Sequence, residues 1–352
     1  MKKRIFALLT ILALVGAMFV GCSSSSSQTS ASPASAAAPA SPAASASTSP
    51  EPAGSGQKYD LTMGTAGTTG TYYVVGAAMS STVNNVCPDL TVVAQATNGG
   101  VENLNLIMSE EMELGLTNAD AAYWSCYGGG SGFYQAYADP GSVRGAMRLY
   151  ESQGHMITTA NSSINNYGDL RGKTVCLGPP SSTIPAMSIA ILNAYGIDHE
   201  KDITPVYFSI DEGLEKLTDG VIDATFFVAA APASGLTSAA ATNNLKLVDA
   251  DPAILENVLK DYPYYVITQT KEGAYPSLNR VNTLKIYTEL CAGAHVPEEA
   301  VYLFVKNALE SQAQYVDAHV SCQEIVPETA VQTSAELHPG AARYFKEIGL
   351  LN

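Results

Sequence analysis

The chain has 352 residues, 46% of them hydrophobic, with 18 Lys plus Arg against 33 Asp plus Glu and a formal net charge of −15. So acidic a surface repels nucleic acid and anionic headgroups, which excludes both as expected partners. Residues 1–21 open with Lys2, Lys3 and Arg4 and continue as an apolar run from Ile5 to about Val20. This is the charge and length of a secretory signal peptide, and short for a membrane span of ~20 residues with anchoring flanks.

Phe19-Val20-Gly21-Cys22 closes that run with small residues and a cysteine, and resembles the lipobox of bacterial lipoproteins. The expectation is cleavage before Cys22 and lipidation of Cys22, leaving an extracytoplasmic chain anchored at the outer face of a membrane or in a periplasm. An ordinary signal peptide with an incidental Cys22 is the alternative. Cleavage would remove three basic residues and no acid, taking the net charge to −18. Residues 22–57 are almost wholly Ser, Ala, Pro, Thr and Gly, with no side chain large enough to build a core, and are expected to form a disordered tether. Such a tether reaches on the order of 30 Å.

From 58 onward the chain is too long for one comfortable core and suits two domains. DLTM reads as a strand, and Tyr72, Val75, Gly76, Met79 and Val83 then fall on one face of a helix. LTVVAQAT is a second strand, TNGG a turn, VENLNLIMSEE a helix and ELGLTNA a third strand. After HMITTANSSI the same alternation restarts, with GKTVCLG a strand, PPSST a loop and IPAMSIAILNAYG a helix ended by Gly196. ITPVYFS, DEGLEKLTDG closed by Gly220, and VIDATFFVA follow as strand, helix and strand. Alternating strands and helices predict parallel sheets with covering helices. YPYYVITQT reads as a strand crossing back, and VPEEAVYLFVKNALESQAQYV and LHPGAARYFKEIGL as C-terminal helices. The expected organisation is a first lobe from 58–159, completed by 264–352, with a second lobe at 160–263 inserted between. HMITT and YYVIT are the two crossings of a hinge over a cleft.

Beyond Cys22 the cysteines are Cys87, Cys126, Cys176, Cys291 and Cys322, an odd number with no CxxC. Buried thiols are at least as well supported as any bridge, and no zinc site or other metal or cofactor is expected.

GTAGTTGTYY, Gly64 to Tyr73, invites a phosphate-loop reading that its spacing rejects. Gly64 and Gly70 are one residue too far apart for a P-loop, Thr71 stands where Lys is needed, and GxxGxxG is not GxGxxG. Gly128 to Gly132 lacks the glycine two residues after Ser131 that a nucleophile elbow needs. His155, His199, His295, His319 and His338 are scattered, and the pairs Glu110–Glu111 and Asp211–Glu212 are adjacent residues that a helix sends to different sides. A serine hydrolase using Ser181 or Ser131 is therefore only a remote alternative, and the chain is not expected to be an enzyme. What remains is polar residues at strand ends that open helices: Thr65, Thr68, Thr69, Thr97, Asn98, Gly99, Gly100 and Asn118 with Asp120, and across the cleft Ser181, Ser182 and Thr183. Free helix N–H groups and hydroxyls converge at such positions and suit a carboxylate. Each is also explained, taken alone, as a helix cap.

The succession GTAGTTGTYYVVGAAM, ATNGGVENLNLI, MELGLTNADAAYW, RGAMRLYESQGHMI, YGDLRGKTVCLGPPSST, LTDGVIDATFFVAAAP, YPYYVI and LHPGAARYFKEIG resembles the TAXI-type solute-binding proteins of TRAP transporters, in order over nearly all of 59–350. The resemblance implies a two-lobed α/β fold of the periplasmic-binding-protein type II kind. It also implies capture of a small carboxylate such as glutamate or 2-oxoglutarate and delivery to an ion-coupled TRAP permease. A ligand sensor, or a receptor for an ATP-driven permease, is the alternative on the same fold. By resemblance the cleft is lined by Thr65, Thr68, Thr69, Tyr72 and Tyr73; by Thr97, Asn98 and Gly99; by Asn118 and Asp120; and by Pro179 to Thr183. In the last segment Pro180 and Ser182 replace glycines of the family pattern.

Overall fold

The computed structural model describes residues 57–128 and 139–352. The signal segment, Cys22, nearly all of the tether and Ser131 lie outside them. The chain opens β1 (Tyr59–Gly64), α1 (Thr71–Val86), β2 (Leu90–Gln95), α2 (Gly100–Met108), β3 (Leu114–Asn118), α3 (Ala119–Tyr127) and the long β4 (Val143–Thr159). It continues β5 (Thr174–Cys176), α4 (Ile184–Ala194), β6 (Thr204–Val206), α5 (Ile210–Thr218), β7 (Ala224–Ala229), α6 (Ser234–Thr242), β8 (Leu245–Leu247) and α7 (Pro252–Asp261). It ends β9 (Val266–Gln269), β10 (Asn282–Gly293), α8 (Glu298–Glu310), the single turn α9 (Pro327–Ala330) and α10 (Pro339–Glu347).

The stripe expected on α1 is the buried one, with Val75, Gly76, Met79 and Val83 inside. Val301, Phe304, Val305, Ala308 and Leu309 are likewise the inner face of α8. α4 and α5 stop where Gly196 and Gly220 take φ of 68° and 72°, a conformation that costs other residues a Cβ clash.

The strands form one ten-stranded sheet along the path β2-β1-β3-β10-β4-β7-β5-β6, with β8 on β4 and β9 on β10. Each half repeats one plan. β1 lies parallel between β2 and β3, and β5 lies parallel between β6 and β7. One antiparallel crossing strand completes each half, β10 against β3 and β4 against β7. The two crossing strands pair with each other. Met147, Leu149 and Tyr150 of β4 belong to the first core with α1 and α8, while its Met156 and Ile157 belong to the second with α4 and β7. β10 likewise carries Leu290 and Ala292 in the first core and Leu284 and Ile286 in the second.

Two expectations change here. HMITT already lies in the second half, where His155, Met156 and Ile157 pair with β7; the transfer occurs earlier, at Gln153, which faces both Lys285 and Ala229. The returning strand is β10 rather than YYVIT, since β9 pairs only with Asn282–Lys285 of β10. At the crossing the β4–β10 register shifts between Tyr287 and Glu289, and Ser152 Oγ meets Thr288 Oγ1 at 2.9 Å. Such a bulge bends a strand. Cys87, Cys126, Cys176, Cys291 and Cys322 are free and buried. No helix among the described residues is long and apolar enough to cross a membrane.

His155 and Glu289 are buried in the crossing strands. His155 stacks on Phe227 with ring centroids 4.9 Å apart and its Nε2 meets Tyr275 Oη at 3.0 Å; burial lowers its pKa to about 4. Glu289 accepts from Ser334 N at 2.8 Å and Ser334 Oγ at 3.0 Å, and burial raises it to about 7. The depressed His155 disfavours the folded state as pH falls from 6.5 toward 4, whereas the raised Glu289 disfavours it as pH rises from 4.5 toward 7. Relative to wild type, Glu289→Gln is therefore expected to gain up to about 3 kcal/mol of unfolding free energy between pH 4.5 and 7, at 1.36 kcal/mol per pKa unit. His155→Gln is expected to gain by a similar amount in the opposite direction, between pH 6.5 and 4. Urea titrations across that range check both signs.

Candidate functional site

The carboxyl ends of the parallel strands of both halves face a single cavity of about 120 Å³. From the first half come the loop after β1 (Ala66, Gly67, Thr69), the start of α1 (Gly70, Thr71, Tyr72) and the turn into α2 (Thr97 to Gly100). From the second come Pro179, Ser182, Thr183 and Ile184 at the start of α4, Ser209, Ile210 and Asp211 at the start of α5, and Val228 and Ala229 at the end of β7. Four helix N-termini therefore reach one space. Gly70, Gly99 and Thr183 form no side-chain cap on α1, α2 and α4, although Ser182 Oγ accepts from Ile184 N at 3.3 Å and Ser181 O from Glu102 N. Ser209 caps α5 by accepting from Glu212 N at 3.3 Å.

Buried hydrogen bonds hold these loops. Asn103 of α2, fully buried, donates to Thr65 O at 2.8 Å and Leu116 O at 2.7 Å and accepts from Thr97 Oγ1 at 2.7 Å. It joins the ends of β1, β2 and β3. Gly64 makes room for this asparagine, since a Cβ there would collide with Asn103 Oδ1; its smallness serves packing rather than approach of a solute. Gly99 has φ of 120°, and a Cβ on it would lie 3.1 Å from Ser182 Cβ, so here glycine lets the two halves touch.

The halves are closed on each other. Asn118 Nδ2 donates to Thr183 Oγ1 at 2.8 Å while its Oδ1 accepts from Tyr72 Oη at 2.5 Å. Burial raises the Tyr72 phenol well above its ordinary pKa, so it remains a donor. Nearer solvent, Thr69 Oγ1 donates to Asp211 Oδ2 at 2.5 Å, Ser234 Oγ to Thr69 O at 2.6 Å and Glu102 N to Ser181 O at 3.0 Å.

Of the residues expected at the site, Thr69, Tyr72, Thr97, Asn98, Gly99, Ser182 and Thr183 line the cavity. Asn118 stands behind Tyr72 and Thr183. Thr65 is a correction: it is buried and its hydroxyl donates to Gln95 O at 2.7 Å, tying β1 to β2. Asp120 is buried too, accepting from its neighbour Ala121 N at 2.8 Å and from Tyr265 Oη at 3.2 Å. Thr68 is exposed, Tyr73 is half-buried and away from the lining, and Ser181 contributes its carbonyl. Asp211, at the start of α5, is exposed and also borders the cavity. Asp211 and Ser209 occupy the β6–α5 junction, and the strand-end rule that selected the other loops applies to it equally. Ser182 Oγ donates to Pro179 O at 2.7 Å. His319 Nδ1 meets Ser321 Oγ at 2.6 Å, but there the histidine caps Val320–Glu324 and the serine is buried.

A cleft between two α/β halves, with parallel strand ends on both sides and two antiparallel crossings, defines the type II periplasmic-binding-protein fold. The periplasmic binding protein BugD has this architecture and is similar at 12% identity, covering 83% of this chain and 94% of its own, with a TM-score of 0.50. The alkanesulfonate-binding protein SsuA from Xanthomonas axonopodis pv. citri is also similar, at 11% identity over 85% of this chain and 82% of its own, with a TM-score of 0.48. The chain belongs to the NMT1-like family, whose model matches residues 63–349.

Replacing Asn103 by Leu takes its amide from Leu116 O in a buried place and leaves Thr65 O and the Thr97 hydroxyl with only their contact to each other at 3.0 Å. At about 1–3 kcal/mol for each group left unsatisfied, the expected loss is about 2–4 kcal/mol, read as a lower urea midpoint at unchanged slope.

Proposed function

We propose that this chain is an extracytoplasmic receptor, anchored through a lipid on Cys22, that closes on a small carboxylate-type solute and passes it to an ion-coupled TRAP permease of the TAXI kind. The observation that carries the reading is the convergence of four helix N-termini on one closed cavity between two lobes. A helix N-terminus carries roughly half a positive charge, and in partly buried geometry stabilises an anion by up to ~2 kcal/mol. With hydroxyl and backbone donors at ~1.5–3 kcal/mol each, less the cost of ordering and closure, this supports micromolar binding, near ~−8 kcal/mol. The TAXI and TRAP assignment is supported by the ordered run of motifs from GTAGTTGTYY to LHPGAARYFKEIG, and the lipid anchor by the lipobox-like Phe19–Cys22. On this reading Thr69, Tyr72, Thr97, Asn98, Gly99, Ser182 and Thr183 contact the solute, while Asn118 orients Tyr72 and Thr183.

Calorimetry of the mature chain against amino acids, 2-oxoacids and dicarboxylates should give a binder together with a fall in radius of gyration from an open state. Failure of a broad panel to produce either heat or closure overturns the reading. Thr183→Ala, which removes a lining hydroxyl and the acceptor of Asn118, should weaken binding about tenfold, roughly 1.4 kcal/mol. In the native host, Cys22→Ala should release the chain from the membrane fraction; retention there despite the substitution would refute the lipid anchor.

A further inference from the structure

Within that carboxylate-receptor reading, on which this rests, we infer that the cavity selects a monoanion with an apolar body and turns away dianions of the same length. Among the described residues that line the cavity Asp211 is the sole charged side chain, and none is a lysine or arginine. Four N-termini at roughly half a positive charge each, offset by Asp211 and with Glu102 and Glu212 also on the first turns of α2 and α5, leave at most about one positive charge, no more than one carboxylate neutralises. Two further acids stand close by. Glu102 Oε2 accepts from the lining residue Asn98, N to O 2.8 Å, and Asp120 is buried beside Asn118.

Beside uncharged Thr, Ser, Asn and Tyr side chains, the second half supplies an apolar stretch of wall. Pro179, Ile184, Ile210, Val228 and Ala229 all border the same space, and burying alkyl surface against them contributes favourably. A second carboxylate would lose its hydration against these side chains, or share the cavity with the Asp211 carboxylate, with no cation to compensate. Asp211 is thus a specificity-determining residue. Its Oδ2 is held toward the opposite lobe by the Thr69 hydroxyl at 2.5 Å, so closure itself brings the negative charge onto the lining.

The test compares five-carbon pairs that differ in one carboxylate: pentanoate against glutarate, and 2-oxopentanoate against 2-oxoglutarate, by calorimetry on the mature chain. The monoanion of a pair is expected to bind at least tenfold tighter. Asp211→Asn keeps an acceptor for Thr69 and removes the charge, so it should narrow that gap by raising dianion affinity. Dianions binding as tightly as monoanions, or an unchanged gap in Asp211→Asn, would overturn the inference while leaving the carboxylate receptor intact. Absence of binding by every member of both pairs and of the wider panel would remove the receptor reading, and this inference with it.

Discussion

The pairing of β4 with β10 is the constraint on which the rest of the molecule depends. Both strands are interior to the sheet and pass from one core to the other, so their backbone groups have to be satisfied by each other where neither half supplies a neighbour. From that ladder follow the antiparallel edges offered to β3 and β7. The three parallel strands of each half are thereby set with their carboxyl ends toward the same space. The bulge beside Thr288 and the Ser152–Thr288 contact lie where β4 exchanges β10 for β7.

Cavity polarity then follows from chain direction. A helix that succeeds a parallel strand begins at the strand's carboxyl end, so its N–H groups face whatever lies there. Here α1, α2, α4 and α5 do so together, and no basic side chain is among the described residues that line the cavity. Because these N–H groups belong to the backbone, the loops must be held in place. The bonds of Asn103 to β1 and β3, and the chain from Tyr72 through Asn118 to Thr183, provide that. The second chain crosses between halves and forms only when they are closed.

Much of this was legible from residue patterns. The α1 and α8 stripes, the glycine stops at Gly196 and Gly220, and the loops after β1, β2 and β5 can all be read locally, because they depend on helical period or on a positive φ. β10 was not legible: Lys285, Thr288 and Glu289 interrupt NTLKIYTELCAG, and the two ends of the strand face different cores. Thr65 misled because a threonine at a strand end looks the same whether its hydroxyl meets a solute or, as here, the neighbouring strand. Asp211 and Glu212 are exposed, as adjacent acids at a helix start usually are. Only the approach of the opposite lobe puts one of them on a cavity wall.

The sequence by itself determined the α/β alternation, the places where loops open helices, and the absence of nucleotide-loop and nucleophile-elbow spacings. These are local properties, set by side-chain period and backbone freedom over a few residues. Which hydroxyls face the cavity, that the strand of return is β10, that Asn103 ties three strands, and that Asp211 borders the cavity were decided by tertiary structure alone. Each depends on residues far apart in the chain, such as Thr69 with Asp211 or Asn118 with Thr183. Their contact follows from the register of two long strands and is not written in any single segment.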